Sequence, residues 1–225
     1  MEKSNEYNSE GYLNWDQITL SDLSAENIEE KYNQGYVFTR LGRGIMIQTR
    51  SVRISLSKFA LTSENRRIIK KTEDIKSAVL PLPFKDYNYK TGKLAKDFYE
   101  TKFGPGIMSA QKIKEMLTSP EKGNFNSLLV YSKETEAVGY VICYCSAKIM
   151  HYSYLFYDLL KSPKDMGLGM MIRAIQFAKE SGLKYIYLGS IQNKQGLYKL
   201  QFEGLEWFDG KEWQSDVQKV KELLK

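Results

Sequence analysis

The sequence predicts an α+β fold, in which a mixed β-sheet with flanking helices follows a small basic α/β N-terminal domain. Three consecutive β-prone runs at residues 127–132, 137–146 and 152–157 predict an antiparallel meander. The run at residues 137–146 is apolar on both faces, as expected of a central strand. After the third run come a glycine-bearing loop, an amphipathic helix and a strand at residues 184–188. This order predicts a strand, helix and strand unit with a parallel pair of strands.

The part of the chain before the meander predicts short elements and a domain boundary. The expected order is a helix at residues 21–33, a hairpin at 36–40 and 45–48, a strand at 51–56 and a basic helix that Thr62 or Ser63 caps. Pro81 and Pro83 mark a connector, after which the elements become longer. We therefore expect an N-terminal basic domain over residues 1–76 and a larger domain over residues 77–225.

The remaining elements of the larger domain flank its sheet. They are helices at residues 93–102 and 109–117 around Gly104-Pro105-Gly106, a helix from about Gln192, a strand near 205–208 and a helix from Ser215.

The composition excludes several kinds of site. The chain has 225 residues, 42% of them hydrophobic, which is ordinary for a globular protein. A single histidine, His151, excludes sites that need two imidazoles, and no metal site is predicted. Cys143 and Cys145 are too close in sequence for a disulfide framework, which favours a reducing compartment. The polar N-terminus and the lack of a long apolar stretch predict a soluble cytoplasmic protein that does not enter a membrane.

Positive charge is concentrated in one segment of the chain. The net charge is +6, but Tyr36 to Lys71 holds nine basic residues and one acidic residue. Such a segment is suited to binding phosphates, although a solvated basic face is the alternative interpretation. The expected phosphate ligands are Arg40, Arg43, Arg50, Arg53, Arg66, Arg67, Lys70 and Lys71. The last four recur at a spacing that places them on one stripe of the basic helix.

The loop before the crossover helix gives a first resemblance. An antiparallel meander that leads into one crossover resembles the GNAT acyltransferases, whose loop reads Q/R-x-x-G-x-G/A. Here the loop is Lys164-Asp165-Met166-Gly167-Leu168-Gly169, with Lys in place of Arg or Gln. The resemblance implies that Gly167 and Gly169 bind substrate through backbone N–H groups. A simple junction between loop and helix is the alternative.

Longer blocks resemble the aminoacyl-tRNA–protein transferases, which are the arginyl- and leucyl-transferases of the N-degron pathway. Residues 153–158 resemble S-x-Y-x-F-Y-D-P, residues 183–190 resemble L-x-Y-x-Y-L-G-Y, and residues 197–202 resemble M-x-Y-K-x-x-F. Residues 35–40 are similar to the family's G-F-R-R segment, and residues 58–71 to its D-F-x-P-S-x-S-Q-R-R-x-x-K-R block. The chain departs from the family in three ways: it lacks the N-terminal cysteines, Leu159 replaces Pro, and Ser190 replaces an aromatic residue.

The resemblance implies an acyl transfer from charged tRNA to a protein. The arginyl or leucyl group would move from the tRNA ester to the N-terminal amine of a protein that begins with an acidic residue. Because the ester is activated and an α-amine has a pKa of about 8, positioning and one weak base are sufficient. The implied partners are aminoacyl-tRNA and the acceptor protein, and no further cofactor is expected.

The family blocks also suggest roles for individual residues. Asp158 is expected to orient or deprotonate the acceptor amine, with a turn-capping role as the alternative. Tyr157 and Tyr198 are further catalytic candidates, although core packing is an alternative for Tyr157. Lys199 is expected to bind the acidic acceptor side chain or the tRNA terminus. The expected lining of the donor groove is Tyr187, Gly189 and Ser190, whereas His151 is expected to pack at a strand end.

Two other functions fit parts of the sequence. The glycine loop fits an N-acetyltransferase that uses acetyl-CoA as its cofactor. The departures from the family fit a tRNA-binding module that has lost its activity.

Overall fold

The computed structural model describes residues 13–224. In chain order its helices and strands are β1 (Asp16–Thr19), α1 (Ala25–Asn33), β2 (Tyr36–Phe38), β3 (Ile45–Gln48), β4 (Ser51–Ser55), α2 (Ser63–Lys71), β5 (Ile75–Pro81), α3 (Tyr89–Phe103), α4 (Ala110–Thr118), β6 (Ser127–Lys133), β7 (Glu136–Cys145), β8 (Ile149–Tyr157), α5 (Met166–Glu180), β9 (Tyr185–Ser190), β10 (Leu205–Phe208), β11 (Trp213–Gln214) and α6 (Val217–Leu223). Short 3-10 helices lie at Pro120–Lys122 and Lys194–Gln201.

The chain divides into two compact units. Of the described residues, the first unit contains 13–62, Ser146–His151 and 178–224, and the second contains Ser63–Cys145 and Tyr152–Phe177. The predicted boundary between residues 76 and 77, and with it a separate N-terminal domain, stays a prediction.

The first unit is built on two sheets. The predicted hairpin is confirmed, because β2 pairs antiparallel with β3, and β1 pairs with the other edge of β3. The second sheet joins strands that are distant in sequence, since β4 pairs antiparallel with both β9 and β10. The start of β8 pairs in parallel with β9, which confirms the predicted parallel pair. The core of this unit includes the buried side chains of Tyr32, Met46, Ile54 and Trp207.

The second unit holds the meander and most of the long helices. The strands β5, β6 and β7 form an antiparallel ladder, and the rest of β8 lies beside β7. As predicted, β7 is buried along most of its length. The sequence did not predict β5, because Pro81 was interpreted as a connector. Pro81 ends a strand at the edge of the sheet, where its missing N–H costs no ladder hydrogen bond.

Several predicted boundaries were wrong by a few residues. The first helix starts at Ala25 rather than at residue 21, since the Asp22 carboxylate accepts hydrogen bonds from Ser24 and forms a turn there. The helix predicted from Gln192 is a 3-10 helix that starts at Lys194. The last helix is capped by Asp216, whose carboxylate accepts the backbone N–H of Gln218 at 2.9 Å. The α+β class, with its mixed sheet and flanking helices, is confirmed.

Candidate functional site

A row of polar side chains crosses four strands of the first unit. The strand register places His151 beside Tyr187, Tyr187 beside Arg53, and Arg53 beside Glu206. The Arg53 guanidinium donates to a Glu206 carboxylate oxygen at 2.8 Å and to the Tyr187 hydroxyl at 3.3 Å. We call these four residues the polar row. Directly opposed side chains on neighbouring strands share one face, so the row is a product of strand pairing.

Residues from α1 and β11 cover the polar row. The Arg53 guanidinium lies 3.9 Å from the ring centroids of both Tyr185 and Trp213. The Trp213 indole donates to the Asn33 backbone oxygen at 2.7 Å, and Arg53 donates to the Asn33 side-chain oxygen at 3.1 Å. The Tyr32 ring packs on Tyr187 with 4.8 Å between centroids. Arg53, Tyr187 and His151 are buried under this cover, and burial raises the pKa of Tyr187 to about 12.

His151 is held as a neutral ring by this environment. The His151 Nδ1 atom lies 2.8 Å from the Tyr32 hydroxyl, which itself accepts the Phe38 backbone N–H at 3.4 Å. Tyr32 and His151 therefore share a buried hydrogen bond, whichever of the two ring nitrogens carries the imidazole proton. Burial, with a smaller contribution from the charge of Lys199, lowers the pKa of His151 to about 3. The expected packing role of His151 therefore includes a buried hydrogen bond.

Lys199 lies at the carboxyl end of β9. Its ammonium donates to the Ser190 backbone oxygen at 2.8 Å, and burial lowers the pKa of Lys199 to about 8. Gly189 has a φ of +75°, so the strand turns at a conformation that favours glycine. A Cβ atom at Gly189 would lie 3.8 Å from Lys199 Nζ. The structure thus brings together three predicted site residues, Lys199, Gly189 and Ser190, while Tyr198 is exposed.

The predicted phosphate ligands of the first unit fall into two groups. Arg40 is half-buried and Arg43 is exposed, and both lie at the turn of the hairpin. Arg50 and Arg53 are buried, and Arg53 is committed to its ion pair in the polar row. Arg50 and Arg53 therefore do not belong to an exposed basic surface. Tyr187, predicted to line a donor groove, is also fully buried.

Asp158 directly follows β8, in the second unit. Its Oδ1 atom accepts the backbone N–H groups of Leu160 at 2.9 Å and Lys161 at 3.1 Å, which is the turn-capping geometry. Asp158 also lines a cavity of about 590 Å³, beside Tyr140 and Lys161. The capping bonds fix the carboxylate at the wall of this cavity.

Tyr157 and the two loop glycines form one packed group. The Tyr157 ring is buried against Phe98, with 4.9 Å between centroids. A Cβ atom at Gly167 would lie 3.3 Å from the Tyr157 ring. At Gly169 it would lie 2.8 Å from the Thr72 hydroxyl oxygen. Both glycines therefore permit close packing around the start of α5, which is a structural reason for the glycine pattern.

The basic helix α2 presents four exposed cations. We call Arg66, Arg67, Lys70 and Lys71 the basic face of α2. The Lys71 ammonium lies 3.0 Å from the carboxylate of Asp165, just before α5, and lowers the pKa of Asp165. Arg173 of α5 donates to the Thr72 hydroxyl at 2.7 Å, which fixes the end of α2 against α5. Arg173, Thr72 and Glu206 could not be predicted from the sequence, because their contacts join segments that are distant in the chain.

Two kinds of feature are absent from residues 13–224. No helix there is long and apolar enough to span a membrane. No group of three His, Cys, Asp or Glu side chains in this part of the chain is arranged to hold a metal ion.

Several known proteins resemble this chain. The aspartate/glutamate leucyltransferase of Thiobacillus denitrificans is 25% identical over 167 residues, covering 73% of this chain and 68% of that protein. The protein of the same name in Cereibacter sphaeroides is 27% identical over 175 residues, covering 73% of this chain and 61% of that protein. The solved structure of L-PGS from Bacillus licheniformis aligns at 18% identity and a TM-score of 0.48, covering 74% of this chain and 52% of that one.

A family model also matches the chain. The model for the arginine-tRNA-protein transferase C terminus matches residues 90–209, just over half of the sequence. The matched region includes Asp158, Tyr187 and Lys199. The match confirms the resemblance predicted from the sequence blocks. The chain belongs to the arginine-tRNA-protein transferase family, which is a family of aminoacyltransferases.

Proposed function

We propose that this protein transfers leucine or arginine from aminoacyl-tRNA to the N-terminal amine of proteins that begin with Asp or Glu. The family match over residues 90–209 carries this proposal. The names of the relatives support acidic acceptors and favour leucine as the transferred group. Because charged tRNA is a cytoplasmic substrate, we expect the reaction in the cytoplasm.

The basic face of α2 is the proposed site for tRNA phosphates. Its four cations are exposed, and Lys71 is tied to the loop before α5 by its ion pair with Asp165. Contacts to phosphates release counterions and supply affinity that does not depend on the base sequence. Arg40 and Arg43 at the hairpin turn are additional candidates, and we leave Arg50 and Arg53 out of the set because they are buried.

The cavity at the end of β8 is the proposed site for the acceptor terminus. It is lined by carboxylates and ammonium groups, among them Asp158 and Lys161. An N-terminal Asp or Glu carries an ammonium and a carboxylate, so a cavity with both charges is complementary to it. Asp158 would hold the acceptor ammonium. Tyr157, which is buried, would hold the end of β8 in position through its packing. Tyr198, which is exposed, would contact the tRNA terminus.

The loop glycines have a supporting role in this proposal. Gly167 and Gly169 allow Tyr157 and Thr72 to pack at the start of α5. The substrate would therefore meet a preformed helix start rather than a flexible loop. Ser190, where the family carries an aromatic residue, would change the shape of the donor site at the end of β9.

A transfer assay tests the proposal. The protein is incubated with tRNA charged with one radiolabelled amino acid at a time and with peptides that start with Asp, Glu, Lys or Ala. We expect label only on the Asp and Glu peptides, and the label that moves identifies the donor. Asp158→Asn is expected to reduce transfer at least about tenfold, whereas Asp86→Asn, at an exposed position in the same unit, leaves it unchanged. Absence of transfer from every charged tRNA would contradict the proposal.

A further inference from the structure

Three lysines line the cavity at the end of β8, and they differ in their ion-pair partners. Lys93 forms an ion pair with Asp97, and Lys161 forms an ion pair with Glu136. Lys90 also lines the cavity, but it forms no ion pair within the part of the chain that the structure describes. A neighbouring carboxylate therefore offsets the charge of two of the three lysines and leaves that of Lys90.

The carboxylates of the cavity show the same pattern. Three line it, namely Asp97, Glu136 and Asp158, and the first two belong to the ion pairs with lysine. Asp158 accepts two backbone N–H groups and forms no ion pair with the described residues. The cavity thus has one cation and one carboxylate without an ion-pair partner. An N-terminal Asp or Glu presents the complementary groups, an ammonium and a side-chain carboxylate.

The first turn of α3 fixes the backbone of Lys90 at the cavity wall. The Asn88 side-chain oxygen accepts the Lys90 backbone N–H at 2.9 Å and caps the helix. The next residue, Thr91, is buried and also lines the cavity. A Cβ atom at Gly92 would lie 2.5 Å from the Tyr87 hydroxyl oxygen, so the helix start packs closely on Tyr87. Lys90 itself is exposed, and its side chain extends from a fixed backbone.

We propose that Lys90 selects acidic acceptors by binding the side-chain carboxylate of the acceptor's first residue while Asp158 holds the ammonium, an inference that rests on the proposed transferase function. An ammonium pairs with a carboxylate through charge-assisted hydrogen bonds. The four-carbon stem of lysine is flexible, so the same ammonium can follow the carboxylate of Asp or that of the longer Glu. One lysine can therefore serve both acceptors.

The other lysines fit this role less well. A carboxylate that approached Lys93 or Lys161 would also meet the negative charge of the partner carboxylate, so attraction and repulsion would largely cancel. Lys199, for which the family resemblance suggested this role, belongs to the first unit and does not line this cavity. The charge pattern of the cavity therefore favours Lys90.

Peptides that begin with Asp and with Asn separate recognition of charge from recognition of size, because only Asp is charged and the two side chains have nearly the same shape. Transfer rates are measured for both peptides and for one that begins with Lys, and binding affinities are measured without tRNA. Lys90→Met removes the charge, and Lys90→Glu reverses it. Lys96→Met, at an exposed position of the same helix outside the cavity, is the matched control.

We expect the wild type and Lys96→Met to prefer the Asp peptide over the Asn peptide. Lys90→Met should lower that preference about five- to tenfold, through a loss on the Asp peptide alone. Lys90→Glu should favour the Asn and Lys peptides over the Asp peptide.

Two sets of results would overturn different statements. An Asp preference that is absent from the wild type, that Lys90→Met leaves unchanged, or that Lys96→Met reduces equally would overturn the role of Lys90. Wild-type protein that binds the Asp peptide through Lys90 but transfers no amino acid would overturn the transferase function and support the binding site.

Discussion

His151 is predicted to remain neutral in the folded protein well below the pH at which a free histidine is half protonated. Protonation would place a positive charge in a site where only 2% of the residue is exposed and to which Lys199 already contributes a positive charge. The pKa of His151 is accordingly lowered to about 3. In the unfolded chain the histidine pKa is about 6.5. Between pH 6.5 and pH 3 the unfolded chain therefore binds a proton at this residue that the folded chain does not bind.

The size of the effect follows from that difference. Stability decreases as the pH is lowered wherever the unfolded state binds more protons, by up to about 1.4 kcal/mol for each pH unit and each proton. Between pH 7 and pH 5 the contribution of His151 amounts to a loss of about 2 kcal/mol in the free energy of unfolding. Ordinary carboxylates titrate near pH 4, so their contribution in this interval is small.

Two assays measure the prediction. Because the chain has a single histidine, the imidazole signals in an NMR spectrum belong to His151 alone. We expect the signals of a neutral ring down to pH 5. Urea unfolding at pH 7 and pH 5 gives the energetic part, with His151→Asn as the variant that keeps an acceptor for Tyr32 and cannot titrate. The wild type should lose about 2 kcal/mol more than His151→Asn. A histidine that titrates near pH 6.5, or equal losses in both proteins, would refute the reasoning.

Three further predictions concern packing, charge and tRNA binding. Gly169→Ala should lower the free energy of unfolding by about 1–3 kcal/mol because its Cβ would clash with Thr72, whereas Gly123→Ala, with open space around it, should have little effect in the same urea titration. Arg53→Met should cost about 3 kcal/mol because Glu206 loses its buried partner, and in a double-mutant cycle Glu206→Met should recover part of that loss. Reversing one charge on the basic face of α2 should weaken tRNA binding and reduce the slope of log affinity against log salt concentration by about one. Filter binding at several salt concentrations measures both quantities, and an unchanged affinity and slope would contradict the prediction.

Much of the fold could be predicted because its signals are local. Alternating and continuous apolar runs identified the hairpin, the meander and the parallel unit, and glycine and proline marked most of the turns. Pro81 misled the prediction, since a proline at the end of an edge strand has the same local signal as a proline in a connector. The pairing of β4 with β9 and β10 could not be predicted, because no local pattern specifies which distant strands become neighbours.

The site was harder to predict for the same reason. Arg53 resembled a phosphate ligand by charge alone, and only the register of four strands shows that it faces Glu206 and Tyr187. The substrate-binding role of Gly169 stays a prediction from a local motif, and its contact with Thr72 could not be predicted because the two residues are distant in the sequence. The burial of Lys199 is likewise a property of tertiary packing, which the sequence of its helix does not show.

The most direct test of the proposed function is single-turnover transfer from leucyl-tRNA and from arginyl-tRNA to a peptide that begins with Asp. The same peptide with an acetylated N-terminus serves as the control for attack by the α-amine. Formation of a peptide extended by one leucine or one arginine, and only when the α-amine is free, is the predicted result. If neither charged tRNA extends the free peptide, or if the acetylated peptide reacts equally well, the protein does not carry out the transfer that we propose.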